Sequence, residues 1–272
     1  MTEVNVHLRK LISIGLAAAL CLLVAVPAFA QSGENKEYQA IQDERDTRKQ
    51  ISMIETFVGA HPSSQFRPEV DITLLGRYLD NKDWAKIVRH ADTFAITQGA
   101  ADAKARSTFF TLAMEGARQL GNAQKTEEFA GRALTADPNN ISVMMTMART
   151  YAEGAPADAA AMAANMTKAM TYAEKAQKAF KPANLSDSDW DGVQGRLHGI
   201  LGVIHYNKKE WPDAATEFAD YLKANPTDGL GQFRYGLTMY AQLQQTLASL
   251  SSTNTDARAA QAAGADDVKI GF

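Results

Sequence analysis

The chain has 272 residues and a formal charge of −3, with 46% hydrophobic residues, eight prolines and a single cysteine. Alanine is prominent and no long alternating Val/Ile/Thr run lies between Gly33 and Gln245, which favours a helical reading over an all-β one. The weak acidity speaks against a nucleic-acid role, which needs a basic patch.

The first thirty residues stand apart. Arg9-Lys10 precede an apolar run from Leu11 to Val26, and Pro27 leads to Ala28-Phe29-Ala30, an A-x-A cleavage signal. The run is short for a membrane span, which needs about 20 apolar residues. Residues 1–30 are therefore expected to be a secretory signal cut after Ala30, with an uncleaved N-terminal anchor as the alternative, giving an exported chain, periplasmic or secreted, with no stable membrane span after cleavage. Loss of Glu3, Arg9 and Lys10 removes a net +1 and leaves −4. Cys21 leaves with the signal, so the mature chain has no disulfide, thiolate nucleophile or cysteine metal site.

Residues 31–68 form an N-terminal helical segment. Gln31 to Lys36 is polar and loose, Glu37 to Val58 reads as one helix, and His61-Pro62-Ser63-Ser64 breaks it. From 69 to 250, helices alternate. Leu75-Gly76 is followed by a turn and Asp83-Trp84. Ser107 to Asn140 carries Met114 in its first helix and ends in Ala133-Leu134 and Asp137-Pro138. The unit opening at Ile141 has Ala148 and Tyr151, then a turn lengthened by Gly154 to Asp158 and a second helix running to about Lys181. Met162, Met166 and Met170 share one face of that helix, as core filler or the wall of an adaptable groove rather than a Cu(I) site.

Lys181-Pro182-Ala183-Asn184 links to the next unit. Asp187-Ser188-Asp189-Trp190-Asp191-Gly192 begins like a calcium loop, but its twelfth position is His198 instead of a bidentate Glu. An acidic helix start capped by Ser186 or Ser188 is the plainer reading. His198 and His205 lie two turns apart, without the i, i+4 spacing of a zinc pair. No nucleotide loop, nucleophile elbow or metal signature is present, so no cofactor, metal or catalytic residue is assigned and no enzyme activity is expected.

The clearest pattern runs from Gly195 to Asp228. Leu201-Gly202 place a small residue in a first helix, Asn207 to Lys209 form a polar turn, and Pro212 suits the first turn of a second helix. Ala214, Phe218, Tyr221 and Leu222 make an apolar stripe, and Pro226 ends it. This stretch resembles a tetratricopeptide repeat, a helix–turn–helix of about 34 residues. It departs where the family's tyrosine falls on His205, with Tyr206 beside it. The segments at Leu75, Ser107 and Ile141 are similar but degenerate, and a half unit opens at Gly229 with Gly236 in the small-residue place. Phe57 to Pro68 resembles a helix junction of envelope tetratricopeptide proteins, including lipoproteins of outer-membrane assembly. Beyond Ser251 the pattern fades, and 251–272 reads as a loose tail.

The resemblance implies an all-α superhelix, a right-handed stack of helical hairpins whose inner helices line a concave groove. Carried over one by one, the groove positions are Arg77 and Asn81, then Glu115, Arg118 and Gln119, then Arg149 and Glu153, then Tyr206 and Asn207, and finally Tyr240. The function so implied is a non-enzymatic scaffold that binds a peptide or partner domain, in envelope assembly or secretion. The alternative is a module holding a small ligand or cell-wall fragment in a closed pocket walled by Trp190, Trp211 or the methionines.

Overall fold

The computed structural model describes residues 33–94, 102–154, 156 and 158–269, and the signal sequence with its cleavage point after Ala30 lies outside these. Among the described residues every regular element is a helix. In order these are α1 (Gly33–Asp43), α2 (Thr47–Ala60), α3 (Arg67–Asp80), α4 (Trp84–Phe94), α5 (Ala103–Gln119), α6 (Ala123–Ala136), α7 (Ile141–Glu153), α8 (Ala159–Gln177), α9 (Asp187–Asn207), α10 (Trp211–Ala224) and α11 (Gly229–Lys269). None of the described helices is long and apolar enough to cross a membrane. The chain divides into two compact units after Val143.

In the first unit, the single helix expected over Glu37 to Val58 is two. Glu44 accepts the backbone N–H groups of Arg45 (2.8 Å) and Asp46 (2.9 Å), and Asp46 caps α2 by accepting Lys49 N–H (2.8 Å). These local bonds compete with the helical ladder and split it. Pro68 occupies the first turn of α3. The core is built from residues at helical spacing, among them Ile54, Phe57, Val70, Leu74, Leu75, Ile87 and Phe109, all at most 1% exposed. A buried charge cluster ties α3 to α4. Asp71 is fully buried, accepts Arg67 Nε (3.1 Å) and Nη2 (3.3 Å), and lies 2.8 Å from His90 Nε2. A buried carboxylate is tolerated only with such partners.

Three hairpins share one turn. The residue after the C-cap takes a left-handed conformation at Lys82 (φ 60°) between α3 and α4, at Gly121 (φ 69°) between α5 and α6, and at Lys209 (φ 63°) between α9 and α10. Each turn closes with the same pair of bonds. Lys82 N–H reaches Leu79 O and Asp83 N–H reaches Tyr78 O; Gly121 and Asn122 reach Arg118 and Ala117, and Lys209 and Glu210 reach Tyr206 and His205. This double bond pattern satisfies carbonyls that the helix end leaves open. Aligned by this turn, Leu75 and not Gly76 takes the place of Gly202. A Cβ on Gly76 meets nothing within 4 Å, so that glycine is not the close-packing residue its neighbourhood in the sequence suggested.

In the second unit the α9–α10 hairpin is the tightest packing. A Cβ added at Gly195 falls 2.6 Å from the Ala224 methyl, at Gly199 2.9 Å from the Tyr221 ring, and at Gly202 2.6 Å from the Phe218 ring. Three glycines at helical spacing thus let one face of α9 lie directly on α10, along a line that runs antiparallel through 224, 221 and 218. Leu197, Leu201, Ile204, Ala214 and Phe218 are buried around it. On α8 the buried face is made of small residues, Ala169, Ala173 and Ala176, with Met166. Asp228 opens α11. Its Oδ2 accepts Gly231 N–H (3.0 Å) and the Tyr221 hydroxyl (2.6 Å), fixing α11 to α10. The Tyr221 hydroxyl, first, and the Gly231 and Leu230 amides hold this carboxyl below the usual carboxylate range. α11 continues to Lys269, and residues 251–269 of the stretch expected as a tail lie within it. That stretch is rich in alanine and free of proline, which suits a helix.

Candidate functional site

In the first unit, three of the expected groove residues form one cluster. Glu115 is buried, and its carboxylate accepts Arg118 Nε (2.8 Å), Arg118 Nη2 (2.7 Å) and Gln119 Nε2 (2.7 Å). These are i+3 and i+4 neighbours on α5, so the helix itself brings them together. The cluster presents a guanidinium already forked onto a carboxylate, which spends part of its capacity internally. Arg77 lies apart on α3. Its Nε donates to Gln50 Oε1 (2.6 Å), and Gln50 in turn donates to Ile41 O (2.8 Å). Arg77 therefore ties α3 to α2 and α1. Asn81 is exposed and caps the end of α3.

In the second unit, Asn207 Nδ2 donates to Ala152 O (2.7 Å), joining the ends of α9 and α7. Glu153 lies 3.6 Å from Arg234 of α11. Tyr206 meets Trp211 edge to face at 5.2 Å. Arg149 is half-buried, and Tyr240 is 62% exposed. The structure thus connects α7, α9 and α11 through Glu153, Asn207 and Arg234, and leaves Tyr240 on a different face of α11.

The methionine face of α8 forms a feature that spacing alone left open. Met162, Met166 and Met170, with Thr167, Thr171 and Glu174, line a groove together with Asn207 and Lys208 at the end of α9. Met166 is buried while Met162 and Met170 stay half-exposed, so the stripe serves packing and groove wall together. Flexible thioethers let such a wall adapt to different side chains.

The Asp187–Gly192 segment is the start of α9. Ser186 caps it by accepting Asp189 N–H (3.1 Å), and Asp187 pairs with Lys181, which lowers its carboxyl pKa. In a helix, residues two apart point to different sides, so Asp187, Asp189 and Asp191 do not converge on one point as a calcium loop requires. His198 and His205 do not converge either. His198 Nδ1 lies 2.7 Å from Glu217 Oε2, and His205 Nδ1 lies 2.7 Å from Glu210 Oε2. His205, Glu210 and Asp213 do bring three possible ligand atoms within 4.8 Å of one another. Lys208 Nζ sits 2.7 Å from the other oxygen of Glu210 and is the main cause of that carboxyl's lowered pKa. A resident ammonium beside the carboxylate marks this group as an ion-pair network at the α9–α10 turn.

No protein-family model matches the chain. No curated protein matches it. Among solved structures it is similar to a tetratricopeptide repeat protein from Parabacteroides merdae, with a TM-score of 0.53 at 10% identity, covering 81% of this chain and 77% of that one. The chain has an all-helical, tetratricopeptide-like fold, with eleven helices among the described residues.

Proposed function

We propose that the protein is a non-enzymatic interaction scaffold that is exported, loses residues 1–30, and binds a peptide or partner domain in the cell envelope. A fold of this kind is consistent with a protein-interaction module, since stacked hairpins expose long faces and bury little that could enclose a substrate. The observation that carries the reading is the methionine-walled groove on α8, lined also by Asn207 and Lys208. An extended segment laid there meets adaptable apolar contacts flanked by Thr167, Thr171 and Glu174, which supply polar positions for register. The groove positions taken from the resemblance, Arg149 above all, are candidates for further clamps on the partner.

The test is to express the tagged chain with its own leader, crosslink in living cells and identify what is held. The expected result is one stoichiometric envelope protein, retained by wild type and lost from Met170→Asp or Arg149→Glu at unchanged helicity. Fractionation with N-terminal sequencing addresses export separately, and a mature chain starting at Gln31 is expected. A partner held equally by wild type and both variants would remove this face from the reading. A chain retained in the cytoplasm with residues 1–30 intact would remove the export.

A further inference from the structure

α11 packs on α10 through one side only. Gly231 and Thr238 are buried there, with Arg234 and Tyr235 half-buried. On the opposite side stand Leu230 (55% exposed), Phe233 (61%), Leu237 (38%), Tyr240 (62%), Leu243 (54%), Leu247 (51%) and Leu250 (62%). With large side chains of roughly 200 Å² each, this exposed stripe amounts to about 700–800 Å² on one copy. A monomer's largest apolar patch is typically about 300–600 Å². A standard stable interface takes about 800 Å² from each partner, so the stripe has the size of half a dimer interface.

Its spacing says what covers it. The stripe is symmetric about Tyr240, because Leu237 and Leu243, Phe233 and Leu247, and Leu230 and Leu250 are equally distant from it on either side. The same holds for Gly236 and Gln244. A helix viewed down a two-fold axis through Tyr240 therefore presents the same stripe in both directions. A second copy laid antiparallel on that axis places leucine on leucine at 237 and 243, phenylalanine on leucine at 233 and 247, and tyrosine on tyrosine at the centre. Gly236, whose Cβ position has nothing within 4 Å, leaves room for the other copy's Gln244. From Gly229 to Thr255 the only charged residue is Arg234, which is turned to the packed side and lies 3.6 Å from Glu153. Self-association therefore carries no like-charge penalty on the stripe, and the opposed helix dipoles attract.

We infer that the protein is a homodimer whose two copies pack antiparallel through α11, with the two-fold axis at Tyr240. The half hairpin that α11 forms gains its missing second helix from the other copy. Tyr240 then belongs to this interface and not to a partner groove.

Sedimentation equilibrium on the full chain as isolated from expressing cells tests this. A dimer is expected at micromolar concentration, with Leu237→Glu, Leu243→Lys and Tyr240→Arg each weakening it by ~100-fold, since a charge is forced into an apolar interface. Far-UV circular dichroism should stay unchanged in all three. The double variant L237E/L243K is expected to dimerise again, because antiparallel pairing sets each glutamate against a lysine of the other copy. A parallel pair would set like against like and stay apart. A wild-type chain that is monomeric at 50–100 µM overturns the inference, a concentration range of roughly ten times the Kd assumed for a weak dimer. So does a dimer indifferent to the single variants. A dimer broken by the single variants and not restored by the double one overturns the antiparallel arrangement.

Discussion

The close contact between α9 and α10 makes Gly202→Ala the most informative single substitution. A methyl at this position lies 2.6, 2.7 and 3.0 Å from three carbons of the Phe218 ring. Ordinary carbon–carbon contact is about 3.5–4.0 Å, so the overlap approaches 1 Å at the closest atom. Phe218 is 2% exposed and so has little space into which to retreat. Overpacking of this kind costs about 1–3 kcal/mol. Against it stands a gain of about 1 kcal/mol from replacing glycine in a helix interior. With three ring atoms inside the contact distance the cost belongs at the upper end, which leaves a net loss of about 2 kcal/mol, or ~6 °C in melting temperature. Urea unfolding followed by tryptophan fluorescence reports this directly, because Trp190 and Trp211 lie on the two helices concerned. Gly76→Ala is the matched control. It follows a leucine just as Gly202 does, yet its added methyl meets nothing, so it should gain up to about 1 kcal/mol. The double variant G202A/F218L should be no less stable than F218L alone, since the smaller side chain removes the clash. If Gly202→Ala proves as stable as wild type, or the double variant loses both costs in full, the close approach of these helices is wrong.

Lys82→Gly and Lys209→Gly should each stabilise by about 0.5–1 kcal/mol in the same unfolding assay, because a left-handed backbone strains any residue with a Cβ. Gly121→Ala, at the equivalent turn, should lose about 1 kcal/mol. Asp71→Ala should cost about 3–5 kcal/mol, because it leaves the buried Arg67 without its carboxylate; loss of under 1 kcal/mol would show that water reaches the site. Asp228 has its pKa lowered in the folded state, so its contribution is complete above the unfolded carboxylate value of about 3.9 and disappears as pH falls through the lower folded value. The melting difference between wild type and Asp228→Asn should therefore be present at neutral pH and shrink as the pH falls through the lowered folded value; a difference that stays constant on acidification would contradict the link from Asp228 to Tyr221.

What the sequence makes legible depends on whether a residue type carries the information. Gly202, Ala214, Phe218 and Pro212 do carry it, because a tight helix crossing needs small against large and a helix start tolerates proline. The α9–α10 hairpin follows from them. Lys82 and Lys209 carry none, since lysine has no turn preference, although they adopt the same left-handed turn as Gly121. Their equivalence appears only once the bonds from Asp83 to Tyr78 and Glu210 to His205 are seen. It also shifts the early hairpin by one residue, so that a leucine stands where Gly76 was expected. The polar residues expected to meet a partner divide in the same way. Glu115, Arg118 and Gln119 find one another at i+3 and i+4, spacing that the sequence displays. Arg77 with Gln50 and Asn207 with Ala152 are separated by 27 and 55 residues, and nothing in either neighbourhood marks the pair.

The stripe on α11 is the opposite case. All seven of its large residues and their symmetry about Tyr240 are present in the sequence, but helical spacing alone cannot distinguish a stripe that packs on α10 from one that does not. Two sides of that helix compete for the core. Asp228 decides between them, because by accepting Gly231 N–H and the Tyr221 hydroxyl it fixes the rotation of the helix, and so turns Gly231 and Thr238 inward. One capping carboxylate thereby sends the leucines outward, and an apolar face of that size in water has a strong drive to be covered.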